Sequence, residues 1–180
     1  RMYGVMIVVP DLDAWGRSPT VPADPLGNTR VFVRRWALTD FGGDLAVSLQ
    51  DRSENIGARL FREATCVQCH QYRGTGGNAG PDLTDVLSRW KGDYRGVLRE
   101  ILDPSWKIDS RFAVHAFLTR DGKTLTGIIR SEDEQSYGIL SSPEARELMT
   151  VNKSDVEEVV PTSTSMMPRS LLDQFSRDEI

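Results

Sequence analysis

The stretch CVQCH, Cys66-Val67-Gln68-Cys69-His70, holds both cysteines of a 180-residue chain and sets a histidine directly behind the second. Two thiols separated by two residues can add to the two vinyl groups of one porphyrin. A histidine that follows the second thiol is then held beneath the iron, so the spacing supplies two covalent bonds and one axial ligand of a c-type haem. Three other readings compete. A redox disulfide is expected at a helix start within a βαβ unit, and no such unit precedes Cys66. A structural zinc needs four protein ligands, whereas the chain offers two Cys and two His in all, with Cys69 and His70 adjacent and poorly placed to share an ion. Coincidence is the third, and the surroundings of the motif argue against it.

Upstream, SENIGARLFREAT reads as a helix with Ser53 as N-cap and Ile56, Leu60, Phe61 and Ala64 at helical spacing, delivering the chain into Cys66. Downstream, a glycine-rich loop leads to PDLTDVLSRW, a second helix over 82–90 with Pro81 near its first position and Leu83, Val86, Leu87 and Trp90 inward. DYRGVLREILDP is a third helix over 94–102, ended before Pro104. Nearer the N-terminus, TDFGGDLAVSLQ forms a weaker helix capped by Thr39 or Asp40.

From residue 111 the period changes to two. Phe112, Val114, Ala116 and Leu118 alternate on one face, Asp121-Gly122 marks a hairpin turn, and Leu125, Gly127 and Ile129 return. QSYGIL, RELMTV and DVEEVV add three short strands, so 111–160 reads as a small antiparallel sheet or barrel. Helical character returns in SLLDQFSRDEI. At the other end, 1–33 reads as an extended appendage, since a short YGVMIVVPD strand is followed by a Pro- and Gly-rich run without periodicity.

These motifs resemble the class I cytochrome c family. Gly57 and Phe61 match the glycine and aromatic residue with which its N-terminal helix crosses the C-terminal one, and Gly80-Pro81-Asp82-Leu83 matches its GPdL element. The resemblance implies that the Pro81 carbonyl accepts the ring N–H of His70 and that Leu83 packs on the porphyrin. A closer resemblance is to the haem-binding domain of planctomycetes and verrucomicrobia, often found at the C-terminal end of large secreted dehydrogenase-like proteins. It runs through VRRWALTDF, ARLFREATCVQCH, GGNAGPDLTDV, LREILDPSWKID, TRDGKTLTGII and SMMPRSLL. That family usually carries an acidic residue and a glycine after Met-Pro, where this chain has Arg169 and Ser170.

The sixth iron ligand decides the chemistry. The resemblance implies Met167, in the Met-Pro pair that opens the terminal helix, with Met166 as runner-up. His115 sits in a strand and is the only other histidine; Met149 reads as core, and Met2 and Met6 belong to the appendage. Trp90, Trp106, Arg89, Tyr94 and Arg73 are candidates to approach the haem propionates, each equally readable as core aromatic or solvated cation. The acidic RSEDE reads as a loop rather than a docking patch.

The whole is an α+β fold: a helical cytochrome c core around one haem, spanning 34–180, with the sheet of 111–160 inserted. The expected role is one-electron transfer between a redox partner or attached dehydrogenase domain and a downstream acceptor, with little bond chemistry of its own. The alternative is a sensor or peroxidase-like enzyme with a displaceable sixth ligand. Net charge of -4 with both signs interspersed opposes a nucleic-acid partner, and no apolar run approaches the ~20 residues of a membrane span. Arg1 ahead of Met2 reads as a processed or excised start. Covalent haem attachment implies a periplasmic or other extracytoplasmic compartment.

Overall fold

The computed structural model describes residues 30–180; the strand expected over YGVMIVVPD and most of the expected appendage lie outside the described residues. Short α1 (Leu45–Ser48) is capped by Asp44, whose carboxylate accepts from the Ala46 N–H at 2.9 Å. Thr39 and Asp40 instead lie in a separate 3₁₀ turn, because Gly43 adopts φ +84° and divides the segment in two. Helix α2 (Glu54–Glu63) starts at the expected Ser53 cap. Cys66–Cys69 form a single turn, α3, followed by a two-residue hairpin, β1 (Gln71–Tyr72) and β2 (Thr75–Gly76), whose turn places Arg73 and Gly74 at positive φ. This hairpin lies in the glycine-rich segment expected as loop, which shows no strand alternation.

The second expected helix is shorter than its periodicity promised. Helix α4 covers only Val86–Arg89, and Pro81 stands well ahead of it rather than at its first position. The segment between is spent on other bonds: the Leu83 N–H donates to Gln71 O at 2.8 Å, and the Thr84 N–H to the Asp82 carboxylate at 2.7 Å. Helix α5 (Tyr94–Leu102) runs as expected and buries Gly96, Val97 and Leu98.

Five antiparallel strands follow, β3 (Val114–Thr119), β4 (Thr124–Glu132), β5 (Ser136–Leu140), β6 (Met149–Asn152) and β7 (Val156–Pro161), in the order β6-β5-β4-β3-β7. The sheet of 111–160 is thus present, with its edges shifted by a few residues. One face buries Phe117, Ile139, Val151 and Val156, with Leu125, Ile129, Tyr137 and Val159 around them. On the other face Val114, Ile128 and Leu140 stand in register across three strands and pack with Ala79, Cys69 and Met166. The sheet therefore leans directly on the cysteine loop. Met149, read as core, is 41% exposed on edge strand β6. RSEDE, expected as a loop, is divided: Arg130, Ser131 and Glu132 belong to β4, and only Asp133 and Glu134 enter the turn to β5, where the Asp133 carboxylate accepts from the Gln135 and Ser136 N–H groups and Glu132 pairs with Lys153.

Residues 168–180 form successive turns, not the expected helix. Ser170 at φ +69° interrupts any helical path, and the Asp173 and Phe175 carbonyls leave the segment to accept from Val33, Arg34 and the Trp36 indole. These bonds lay the 30–36 segment alongside the C-terminal turns. Beneath them Trp36, Phe41 and Leu98 form one cluster, and Leu60, Ala64 and Phe175 another, with Leu172 and Ile180 bridging both.

Candidate haem site

Helix α2 ends with Ala64 as C-cap and Thr65 at φ +62°, a left-handed position that a β-branched residue takes only at a cost. This turn throws the chain out of α2 and straight into the single turn of Cys66–Cys69. Both thiols are free and half-buried. Cys66 packs against the Ala58–Phe61–Tyr72 cluster on one side and the Leu60 cluster on the other. Burial pushes its thiol up to about 11, with the nearby Cys69 adding to the effect. Burial, and then the Glu144 carboxylate, raise that of Cys69. Neither is an activated thiolate of the redox kind, which would be shifted the other way.

His70 is 9% exposed and leaves the turn with an extended backbone. Its Nδ1 lies 2.8 Å from the Pro81 carbonyl oxygen. A carbonyl can only accept, so Nδ1 carries the proton and Nε2 keeps a lone pair for a metal. Burial holds the imidazole below its usual pKa, toward the neutral form that ligates, with the Pro81 bond opposing. Gly80 makes room for the ring: a Cβ there would lie 2.5 Å from Cε1 and 2.7 Å from Nδ1 of His70. Gly76 and Gly77 likewise run against the His70 and Gln68 carbonyls, at approaches no Cβ could share. The glycine-rich loop is therefore a tight cradle around the 66–70 turn, stitched by Gly77 N–H to Val67 O at 2.9 Å and Gly80 N–H to Cys69 O at 2.7 Å.

Among the described residues no group of three or more His, Cys, Asp or Glu is placed to hold a metal ion on its own. The donor set of Cys66, Cys69 and an oriented, neutral His70 fits a covalently attached haem, which would supply one-electron iron chemistry; the protein's part is to hold the tautomer and the ring.

The remaining expected residues are arranged as follows. Leu83 is half-buried against the Ala58–Phe61–Tyr72 cluster, on which Cys66 and Val67 also pack. Met166 packs into the Ala79–Ile128–Leu140 cluster that also takes Cys69. Met167 is half-buried, its N–H donating to Ser165 Oγ, while the Ser165 N–H donates to Ser105 Oγ, both at 3.1 Å. Arg169 pairs with Asp103 at 2.7 Å, so the methionine loop is tied twice to the DPS segment. Trp90 lies against Gly96 and stacks with Trp106, ring centroids 6.4 Å apart, with Arg99 over Trp106 and Lys107 over Trp90. Arg89 donates to the Asp82 carbonyl, Tyr94 opens α5, and Arg73 lies over the Tyr72 ring. His115 is paired into the sheet, its Nδ1 against the Ala113 carbonyl at 3.1 Å. Arg130 was missed by sequence reading: from β4 it reaches the Asn78 and Ala79 carbonyls, at 2.8 and 2.6 Å, in the loop that cradles His70. An isolated arginine in a strand carries no sequence signal for such a contact.

Helices and an antiparallel sheet meet at a cysteine–histidine turn with an oriented imidazole, an α+β domain whose donor set is compatible with haem attachment. The family model for cytochrome c matches residues 55–139, which supports a c-type cytochrome. Such a domain implies covalently bound haem c, haem-based electron transfer and a redox partner. No curated protein matches the chain. No helix among the described residues is long and apolar enough to cross a membrane.

Proposed function

We propose that the chain is a monohaem c-type cytochrome domain that passes single electrons from a dehydrogenase, separate or attached, to a downstream acceptor in an extracytoplasmic compartment. Cys66 and Cys69 attach the haem, and His70 and Met167 are the axial ligands. The observation that carries this reading is the His70–Pro81 bond, which fixes the one tautomer able to ligate iron through Nε2. The kinship with the planctomycete and verrucomicrobial haem-binding domain rests on the sequence segments quoted above, and the Arg169–Asp103 pair answers its main departure: the charge after Met-Pro is reversed but finds a partner.

Met167 is preferred to Met166 on packing. The Met166 side chain is already committed to the apolar cluster between sheet and cysteine loop, and neighbouring side chains of an extended segment point in different directions. A thioether in the sixth position raises the potential and leaves no vacant site for small ligands. The test is spectroelectrochemistry of the purified holoprotein with carbon monoxide added to the ferrous form. A six-coordinate electron-transfer haem gives a reversible one-electron wave and a spectrum that changes little with the gas. Immediate conversion to a carbonyl complex would move the function to a sensor or peroxidase-like enzyme.

A further inference from the structure

Strand β4 contains a bulge. Ile129 faces Ile139 and Ser131 faces Gly138, so Arg130 between them has no opposite number in β5. Bulges free a side chain from the ladder and re-aim it, and they cluster at functional sites. Here the freed guanidinium crosses to the haem-attachment loop, where Nη2 donates to both the Asn78 and Ala79 carbonyls. The guanidinium also lies 5.2 Å from the Phe112 ring centroid. The two carbonyls belong to the residues just before Gly80, which leaves room for the His70 imidazole, and Pro81, whose carbonyl accepts a hydrogen bond from its Nδ1–H. Among the described residues Arg130 has no carboxylate partner in an ion pair, unlike Lys153 and Arg169, which each have one.

We propose that Arg130 is a positioning residue for the proximal histidine and that, through its unpaired cation, the inserted sheet raises the reduction potential of the haem. The inference rests on the reading of 66–70 as a haem site. Its two parts have separate physical causes. The clamp on two successive carbonyls fixes the loop that holds the ring of His70. The charge acts at longer range: a cation near the iron disfavours the oxidised centre, which is one charge more positive than the reduced one, and low-dielectric surroundings weaken the interaction less than water would. Half-burial lowers the guanidinium's pKa, yet an arginine stays protonated at any working pH. The sheet would thus act on a bound haem through the loop that holds His70.

The experiment compares wild type with Arg130→Lys, Arg130→Gln and Arg130→Met, all as holoproteins whose mass shows attached haem. The midpoint potential and the paramagnetically shifted proton resonances of His70 are measured for each. At the wild-type midpoint, Arg130→Met should have its reduced-to-oxidised ratio lowered by roughly tenfold. Arg130→Gln should fall alongside it, and Arg130→Lys should recover most of the loss because it restores the charge. The His70 resonances should move in Arg130→Met and Arg130→Gln, where the clamp is broken or reduced to one amide. A potential and His70 resonances unchanged in both neutral variants overturn the proposal; Lys matching Gln in potential overturns its electrostatic half. If Met fails to fold, the Gln and Lys comparison decides. Absence of attached haem in the wild type would instead sink the haem reading itself.

Discussion

Gly80→Ala puts the cradle of the proximal histidine to the most direct structural test. The new methyl would sit 2.5 Å from Cε1, 2.7 Å from Nδ1 and 3.0 Å from Nε2 of His70, so the ring or the loop must move. Forced overpacking costs ~1–3 kcal/mol. A displaced ring also loses much of its bond to Pro81, about 1 kcal/mol more. The expected destabilisation is therefore about 2–4 kcal/mol, and outer-shell damage of this kind weakens metal ligation by roughly 10–100-fold. Guanidinium unfolding followed by the Soret band and by far-UV circular dichroism reads the first quantity; an acid titration of the ferric Soret band, in which protons compete with the iron for His70, reads the second. Gly42→Ala is the control, since nothing lies within 4 Å of its Cβ position, and it should stay within about 0.5 kcal/mol of wild type. If the two variants unfold at the same denaturant concentration with the same spectrum, the loop does not hold His70 as described.

Met167→Ala should abolish the thioether–iron charge-transfer absorption, lower the potential and open the ferrous haem to carbon monoxide, while Met166→Ala keeps all three near wild type and loses stability by roughly 1–3 kcal/mol from the cavity left in its cluster. Absorption spectra of the two variants check this, and reversal of the pattern would reassign the ligand by one residue. Ser170→Gly, at φ +69°, should relieve a left-handed strain of about 1 kcal/mol, raising Tm by roughly 2–4 °C in a thermal melt. Asp109 is held down to about 2, first by the Arg111 guanidinium and then by the Arg111 N–H. Its folded pKa lies below its unfolded one, so the interaction favours the folded state above about pH 4. That contribution is lost as pH falls through about 2, and a carboxyl carbon NMR titration should show the low midpoint.

What could be read from residues alone was whatever has a short-range cause. Ser53 and the Ile56–Leu60–Ala64 spacing located α2, Asp121-Gly122 located the β3–β4 hairpin, and CVQCH marked the candidate site. Pro81 was placed correctly as His70's partner through family resemblance, and wrongly as a helix start through its propensity. The tertiary bond to His70 and the Leu83–Gln71 pairing outweighed the helical preference of 82–85. The terminal helix failed for a similar reason: the 173–175 carbonyls are used by Val33, Arg34 and Trp36, residues nearly the whole chain away. Strand alternation showed that Val114, Ala116 and Leu118 share a face. It could not show that the Val114–Ile128–Leu140 row would meet Cys69, nor that a bulge would send Arg130 to Ala79. Contacts between distant segments leave no local pattern.

The measurement closest to the central claim is the intact mass, under denaturing conditions, of the chain produced in a host that attaches haem c. The account predicts a single species heavier than the polypeptide by one haem, reduced to the bare polypeptide mass when Cys66 and Cys69 are both replaced by alanine. A wild-type chain carrying no added mass under those conditions would contradict it.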